Sequence, residues 1–213
     1  MRVVIAGGHG QIALRLEKLL AARGDQAVGI IRKPEQTGDL EALGAEAAVL
    51  DLEKSDVDTV AGVLSGADAA IFAAGAGEGS GTDRKDTVDR AAAALFAEAA
   101  ERAGVRRHIQ VGSMGADRWE TLDVSDDFRL YLKAKKAAED DLRARDLEWT
   151  ILRPGALTNE PGTGLVYVAE STGRGSIPRD DVAAFLVALL DNPGTARSTI
   201  ELISGDTPIA DSL

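Results

Sequence analysis

Residues 2–13 decide the fold of this chain: they read Arg2-Val-Val-Ile-Ala-Gly-Gly-His-Gly-Gln-Ile-Ala13. Residues 3–5 are a short apolar run with β-branched side chains, which is typical of a buried strand. The run stops at the glycine-rich residues 7–10, and residues 11–20 then repeat apolar side chains at helical spacing. The stretch therefore predicts a strand, a sharp turn and a helix, in that order.

This order of elements forms a cradle for a pyrophosphate. Gly7 and Gly10 let the chain turn sharply and let a phosphate touch the backbone, and Ala13 takes the third small position, where the helix passes close to the strand. The helix begins at Gln11 and Ile12, whose free N–H groups face a bound phosphate. Similar turns also join strands and helices that bind no ligand, but the position of this one at the start of a strand–helix unit favours dinucleotide binding.

The composition excludes several kinds of site. The chain has 213 residues, no cysteine and only two histidines, His9 and His108, so we expect no disulfide, no cysteine nucleophile and no metal site. His9 lies in the glycine turn, where it either donates a hydrogen bond beside the phosphates or faces solvent. The net charge of −11 argues against nucleic acid or an anionic membrane as a partner, because either would favour a basic surface.

The length and the apolar pattern indicate the class of protein. A chain of 213 residues, 45% of them hydrophobic, suits one α/β domain, and we expect residues 1–213 to form it, with a small substrate-binding extension from about residue 154 to 213. The first strand begins at residue 2, which leaves no room for a signal peptide, and no apolar run approaches the ~20 residues of a membrane helix. We therefore expect a soluble, cytoplasmic protein that acts on a small molecule.

Short apolar runs alternate with longer segments of helical periodicity almost throughout the chain. This alternation predicts an α/β fold of the Rossmann type: a doubly wound parallel sheet with helices on both faces, in a single three-layer domain. The predicted strands are Arg2–Ile5, Gln26–Ile31, Ala47–Leu50, Ala69–Phe72, His108–Val111, Trp149–Leu152 and Ile200–Ile203. The predicted helices lie near Gln11–Ala22, Glu35–Leu43, Val57–Leu64, Thr87–Ala103, Phe128–Arg145 and Asp181–Leu190.

Two glycine-rich stretches, Gly75–Gly81 and Gly155–Gly175, each follow a predicted strand. Open α/β sheets bind ligands at the carboxyl ends of their strands, so these stretches are either plain connectors or parts of a ligand site.

The end of the second predicted strand bears on the choice of cofactor. Proteins that prefer NAD usually carry an acidic residue there, which holds the ribose 2′-hydroxyl. Here the strand ends in Arg32 and Lys33. Two cations suit a 2′-phosphate by charge and by hydrogen bonding, although they also suit a solvated strand end. We therefore predict that NADP(H) is preferred over NAD(H).

The helix predicted over Phe128–Arg145 carries a lysine on its apolar face. Phe128 and Tyr131 begin that face, and Lys135 falls on it one turn beyond Tyr131. The spacing places the phenol and the ammonium on one side of the helix, where the positive charge lowers the pKa of a phenol and favours proton exchange near neutral pH. The same ammonium suits ribose hydroxyls. The alternative is a lysine that extends between helices to reach solvent.

Taken together, these motifs resemble the short-chain dehydrogenase/reductase superfamily, in particular its compact, atypical NAD(P)H-binding branch, which is similar to epimerases and dehydratases. The resemblance spans nearly the whole chain. Gly7-x-x-Gly10-x-x-Ala13 is similar to the family's glycine turn, with alanine in place of the last glycine.

The resemblance also implies roles for residues that follow the later strands. Asp51 and Leu52 match positions that contact the adenine, and the run Ala73-Ala74-Gly75 matches one that lines the adenosine ribose. Arg153-Pro154-Gly155 matches the turn beside the nicotinamide, and Ile177-x-Arg179-x-Asp181-Val182-Ala183 matches a late motif of the compact branch.

The activity implied by the resemblance is NADP(H)-dependent reduction of a small carbonyl-type substrate. Ser113, after the fifth strand, would hold the acceptor oxygen, although a serine there also suits a cap of the strand-end turn. Tyr131 would donate the proton, and Lys135 would assist Tyr131 and hold the ribose. The loop Met114–Asp127 is expected to cover the acceptor.

Two departures from the family are visible. Standard members carry an asparagine in the fourth helix that supports a proton relay; this chain has no clear equivalent, and Asp89 lies in that region. Only about sixty residues follow Arg153, which disfavours a large sugar-nucleotide substrate. Two other functions remain open: a redox sensor or regulatory protein that binds NADP(H) without turnover, and an epimerase or dehydratase that returns its cofactor unchanged. The sequence leaves the substrate, the direction of hydride transfer and the oligomeric state undetermined.

Overall fold

A nine-stranded sheet lies at the centre of the computed structural model, which describes residues 1–75 and 85–213. The strands of the described residues are β1 (Arg2–Ala6), β2 (Gln26–Ile31), β3 (Glu46–Val49), β4 (Ala69–Phe72), β5 (Arg107–Val111), β6 (Glu148–Pro154), β7 (Ala156–Thr158), β8 (Leu165–Ala169), β9 (Ser176–Pro178), β10 (Ser198–Ser204) and β11 (Thr207–Pro208). Across the large sheet the order is β11-β8-β10-β6-β5-β4-β1-β2-β3, while β7 and β9 form a small parallel sheet of their own.

Helices cover both faces of the large sheet. They are α1 (Gln11–Arg23), α2 (Thr37–Glu41), α3 (Val57–Leu64), α4 (Ala93–Ala103), α5 (Asp126–Arg143) and α6 (Arg179–Asp191), and a π-helical segment, Lys85–Ala92, leads into α4. Among the described residues, no helix is both long enough and apolar enough to cross a membrane.

The central strand β1 is buried on both sides, as its continuous apolar run predicts. Val3 and Ile5 belong to the core that contains buried residues of α1 and α6. Val4 and Ala6 belong to the opposite core, with buried residues of α3 and α4. The two cores on opposite faces of one mainly parallel sheet confirm the predicted Rossmann-type, doubly wound α/β fold.

At one edge the mainly parallel sheet carries two antiparallel strands. Strand β8 runs antiparallel to β10, and β11 runs antiparallel to β8. The strands β7, β8 and β9 all lie within or just after the glycine-rich stretch Gly155–Gly175, where no strand was predicted. Strands β7 and β9 have three residues each, too few for a pattern, whereas β8 is a five-residue apolar run with β-branched valines that the prediction passed over.

Two predicted helices begin differently from expectation. The helix predicted over Glu35–Leu43 is a 3-10 turn, Pro34–Gln36, followed by the short α2. The helix predicted over Thr87–Ala103 is π-helical up to Ala92. The predicted stretch Gly75–Gly81 lies outside the described residues except for Gly75.

Candidate functional site

The glycine turn after β1 is packed so tightly at Gly7 and Gly8 that neither position has room for a side chain. Gly7 has a φ of +82°, and a Cβ there would lie 2.6 Å from the Cα of Ala74. A Cβ on Gly8 would lie 2.6 Å from the Cα of Gly29 in β2. The N–H of Gly10 donates to the carbonyl oxygen of Gly7 at 2.8 Å, which closes the turn. Close approach of backbone to backbone therefore explains the run of glycines at this position.

Helix α1 begins in this turn with its first N–H groups free of a side-chain cap. Gly10 is the N-cap residue and has no side chain to accept from them, and the first turn contains no acidic residue. Free donors and the positive end of the helix dipole suit an anion such as a pyrophosphate. The side chain of Gln11 is exposed and lines neither of the cavities described below, whereas Ile12 lines the second.

A cavity of about 240 Å³ lies between the glycine turn and the ends of β2, β3 and β4. It brings together ten of the predicted cofactor-binding residues, which come from four separate parts of the sequence: Gly7, His9, Gly10, Arg32, Lys33, Asp51, Leu52, Ala73, Ala74 and Gly75. It also contains residues that were not predicted, because all but the turn residue Glu53 are ordinary core or helix residues by pattern: Ile30, Ile31, Gln36, Leu50, Glu53, Val88 and Ala92.

Both ring nitrogens of His9 are engaged inside the protein. The Nε2 atom lies 2.7 Å from an Asp39 carboxylate oxygen, and Gln36 Nε2 lies 3.0 Å from Nδ1. With Gln36 donating to Nδ1, the ring N–H at Nε2 donates to Asp39. His9 would therefore have to release Asp39 before it could donate to a phosphate.

The predicted 2′-phosphate residues lie at the edge of the same cavity. Arg32 is 3.4 Å from a carboxylate oxygen of Glu53, and its side chain is 45% exposed. Lys33 is exposed beside it. Glu53 also accepts a hydrogen bond from the hydroxyl of Thr87 at 2.6 Å. Of the two carboxylates that line this cavity, Asp51 and Glu53, it is Glu53 that competes with a phosphate for Arg32.

A second cavity, of about 160 Å³, lies at the ends of β5 and β6. Ser113, Tyr131 and Lys135, the three predicted catalytic residues, all line it. Its remaining lining residues are Ile12, Ala73, Ala74, Gly75, Val111, Gly112, Pro154, Gly155 and Leu157. Because residues 73–75 line both cavities, an extended molecule that fills the first can reach the second.

Helix α5 supplies two of these three side chains. Ser125 caps the helix, accepting from the N–H of Phe128 at 3.3 Å. Tyr131 is half-buried, and its ring stacks at 5.5 Å on that of Phe128, which is 43% exposed. The predicted apolar face therefore holds from Lys135 onwards but not at Phe128, which borders solvent.

Lys135 is buried and has partners that the sequence did not reveal. Its Nζ atom lies 3.1 Å from Oδ1 of Asp89 and donates to the carbonyl oxygens of Ala74 and Val111, at 3.5 and 3.3 Å. The ammonium also lies 5.7 Å from the centre of the Tyr131 ring. Burial alone would lower the pKa of Lys135, but Tyr131 and Asp89 together hold it above the ordinary lysine value. The lysine does not extend to solvent.

The loop Met114–Asp127 is held by two arginines. Arg153 of β6 bonds Asp117 at 2.5 Å, and Arg129 donates to the carbonyl oxygens of Trp119 and Glu120 at 3.0 and 2.8 Å. The Trp119 ring packs under the ammonium of Lys133, at 5.3 Å. None of the loop's residues lines the second cavity, so the expectation that the loop covers the acceptor finds no support in this arrangement.

The sequence profile of the NAD(P)H-binding family matches residues 7–193, which include the glycine turn and both cavities. The chain belongs to this family. A Bacillus subtilis protein named uncharacterized sugar epimerase YhfK is 42% identical over 214 residues, which cover 100% of this chain and 99% of its own.

Two solved structures are similar to this chain along almost their whole length. A Bacillus halodurans protein, provisionally named an NAD-dependent epimerase/dehydratase, superposes with a TM-score of 0.91 at 36% identity, covering 99% of this chain and 97% of its own. The oxidoreductase ylbE from Lactococcus lactis superposes with a TM-score of 0.88 at 28% identity, covering 100% and 94%. These findings confirm the resemblance to compact, epimerase- and reductase-like NAD(P)H-binding proteins.

Two aspartates in the segment 177–183, the late motif named above, hold neighbouring parts of the chain in place beside the site. At the start of α6, Asp181 accepts from the N–H groups of Thr163 and Gly164, at 3.0 and 2.8 Å. Asp180 accepts from Arg15 of α1 at 2.5 Å. The carboxylates thus fix the segment before β8 and tie α6 to the helix of the glycine turn. Among the described residues, no group of three or more histidine, aspartate or glutamate side chains is placed to hold a metal ion.

Proposed function

We propose that this protein is an NADP(H)-dependent oxidoreductase that reduces a small carbonyl-type substrate by hydride transfer, with Tyr131 as general acid. The observation that carries the proposal is the convergence of Ser113, Tyr131 and Lys135 on one cavity. That cavity shares residues 73–75 with the cavity beside the glycine turn. A dinucleotide spanning both would place its reactive end beside the tyrosine.

The residues around the glycine turn suit the cofactor. Gly7 and Gly10 leave backbone accessible to the pyrophosphate, and the N–H groups of α1 would bind its oxygens. The adenosine end would occupy the first cavity, against Asp51 and Leu52, and the other end would reach Pro154 in the second. When bound, the nicotinamide supplies or accepts the hydride.

The side chains of the second cavity would move the proton. The hydroxyl of Ser113 would donate a hydrogen bond to the acceptor oxygen and hold it beside Tyr131. The phenol of Tyr131 would give its proton to that oxygen as negative charge develops on it. The Lys135 ammonium, close to the Tyr131 ring, would stabilise the phenolate that remains and would hydrogen-bond the ribose.

The preference for NADP(H) is part of the proposal. Arg32 and Lys33 border the cavity that the adenosine end would occupy, and a 2′-phosphate would displace Glu53 from Arg32. A charge-assisted bond from a guanidinium to a phosphate is stronger than the exposed pair that it replaces.

A second candidate function is an epimerase or dehydratase of small substrates. The Bacillus subtilis relative that is named a sugar epimerase supports it, since it is similar over the whole chain. Such an enzyme would retain its cofactor and consume none. The small size of the second cavity supports the reductase over an enzyme of large sugar nucleotides.

The test is consumption of NADPH with a panel of aldehydes, ketones and quinones. Tyr131→Phe should reduce turnover by roughly 10²- to 10⁴-fold with little change in NADPH affinity, because only the phenolic oxygen is lost. Lys135→Ala should reduce both turnover and NADPH affinity. Tyr167→Phe is the matched control, since Tyr167 is the other tyrosine and lies exposed on β8, and it should leave turnover unchanged.

Two results would contradict the reductase, and a third would contradict the role of Tyr131. Retention of tightly bound cofactor with substrate turnover but no net NADPH consumption would favour the epimerase or dehydratase. Binding of NADPH without turnover of any substrate would favour a redox sensor. Turnover that survives in Tyr131→Phe would exclude Tyr131 as the general acid.

A further inference from the structure

Asp89 and Lys135 form a buried ion pair directly behind the second cavity. The side chains are 0% and 5% exposed, and the ammonium nitrogen is 3.1 Å from Oδ1 of the carboxylate. Asp89 belongs to the π-helical segment Lys85–Ala92, which packs against α5. Charged side chains are ordinarily exposed, so burial of both members of this pair requires a specific explanation.

The ammonium lies among groups that differ in charge. The carbonyl oxygens of Ala74 and Val111 accept from it but carry no formal charge. Glu139, one turn further along α5, is already bonded by Arg153. Asp89 is therefore the carboxylate that balances the buried lysine by direct contact.

We propose that Asp89 is a positioning residue, which keeps Lys135 protonated inside the site and so maintains a positive charge beside Tyr131. This rests on the proposed function, in which Tyr131 gives up its proton. A lysine taken out of water without a counter-ion tends to lose its proton. Burial opposes the ammonium form of Lys135, and the negative charge of Asp89 contributes to offsetting that opposition. Asp89 thus acts on the phenol through the lysine.

The chain permits a direct test that needs neither cofactor nor substrate. It has two tyrosines, so Tyr167→Phe leaves Tyr131 as the sole phenol, and the ultraviolet absorbance of its phenolate can be followed against pH. In this background, Asp89→Asn and Lys135→Met should each move the appearance of phenolate to higher pH, by roughly one pH unit, because the ammonium is lost in both. The variant that combines both substitutions should shift the appearance of phenolate no further than either substitution alone.

Two further variants separate charge from structure. Asp89→Glu keeps the carboxylate and should restore titration close to that of the parent. Asp86→Asn removes a carboxylate from the same segment, but Asp86 is exposed and pairs with Arg90, so the phenolate curve should stay unchanged. Circular dichroism establishes that each variant is folded before it is titrated.

Specific outcomes would overturn the proposal. If Lys135→Met shifts the curve and Asp89→Asn does not, the lysine keeps its charge without Asp89. If Lys135→Met has no effect, the lysine does not act on Tyr131. If Asp89→Asn does not fold, Asp89→Glu provides the test. A phenolate curve of Asp89→Glu that matches the curve of Lys135→Met would show that a carboxylate at this position does not determine the titration of Tyr131. The titrations measure no turnover, so they remain interpretable even if the protein proves to have no reductase activity.

Discussion

The guanidinium of Arg153 and the carboxylate of Glu139 form a two-pronged ion pair behind the second cavity. Arg153 Nε lies 3.1 Å from Oε1 of Glu139, and Nη2 bonds the other carboxylate oxygen. Both side chains are almost wholly buried, at 5% and 0% exposed. A third partner, Asp117, bonds Nη1 from the loop after β5. The pair therefore joins β6, α5 and that loop at one point.

Removing either half of this pair should destabilise the protein strongly. Glu139→Gln or Arg153→Met leaves a buried charge short of its partner, and each should lower the free energy of unfolding by about 3–5 kcal/mol. The double variant should lose much less than the sum, because both buried charges are then removed and the partners that remain, Arg143 and Asp117, reach solvent. Denaturant unfolding measures all three. Asp117→Asn is the control: Asp117 is 52% exposed, so the change should amount to about 1 kcal/mol or less. Additive losses in the double variant would contradict the assignment.

Glu17 should make stability depend on pH. Its carboxylate oxygens are buried under the glycine turn and have no hydrogen-bond partner among residues 1–75 and 85–213, and burial raises its pKa from 4.5 to about 8. The folded state therefore binds the proton more tightly than the unfolded state. The stability that this proton provides is complete below pH 4.5 and disappears as the pH rises through about 8.

Glu17→Gln removes that dependence. Relative to the wild type, its free energy of unfolding should rise by roughly 2–4 kcal/mol between pH 5 and pH 8. Urea titrations at several pH values give the difference directly. Glu41→Gln, an exposed change on α2, should show no such trend. A constant difference between wild type and Glu17→Gln across this pH range would show that Glu17 is ionised in the fold.

Arg32 should determine the preference between the two cofactors. Arg32→Ala should weaken NADP binding by about 1.5–3 kcal/mol and leave NAD binding nearly unchanged, because it removes a charge-assisted bond to the 2′-phosphate. Glu53→Gln should strengthen NADP binding, since the carboxylate no longer competes for the guanidinium. Calorimetric titration with both cofactors measures this. Lys18→Ala removes an exposed positive charge outside the cavity and is the matched control. Equal affinity of the wild type for NAD and NADP would refute the preference.

Gly10→Val should abolish cofactor binding without unfolding the protein. The backbone of Gly10 has a φ of −73°, which any residue adopts, and a Cβ there meets only the carbonyl oxygen of Gly7, at 3.0 Å, and that of Ala73, at 3.9 Å. The branched side chain would instead occupy the space of the pyrophosphate. Fluorescence titration with NADPH and thermal unfolding separate the two effects. Gly62→Val, at an open position on α3, should leave binding intact. Normal binding by a folded Gly10→Val protein would mean that the turn holds no phosphate.

The sequence predicted the parts of the fold in which pattern and packing agree. The turn between β1 and α1 was predictable because only glycine fits against Ala74 and Gly29 there, and the apolar run of β1 requires burial on both faces. Tyr131 and Lys135 were predictable as neighbours because a helix brings residues four apart onto one side.

Other features depend on contacts that are distant in sequence. The π-helical segment changes which side chains face α5, so Asp89 did not stand out as the partner of Lys135. Glu17 is an acidic residue in an amphipathic helix, a kind that is ordinarily exposed, and its burial follows from the close approach of α1 to Gly8 and Gly29. The outer strands β8 and β11 run antiparallel because β8 pairs with β10 and β11 pairs with β8, and their own sequences do not show the direction of these pairings.

The two cavities draw on different stretches of the chain. Apart from residues 73–75, the first is lined by residues between 7 and 92, whereas all but one of the other residues of the second lie between 111 and 157. If the second cavity holds the acceptor as proposed, a change of acceptor in evolution would fall mainly on residues 111–157, away from most of the first cavity. An exchange of the second half between relatives would have to preserve the buried pair of Asp89 and Lys135, which joins the two halves.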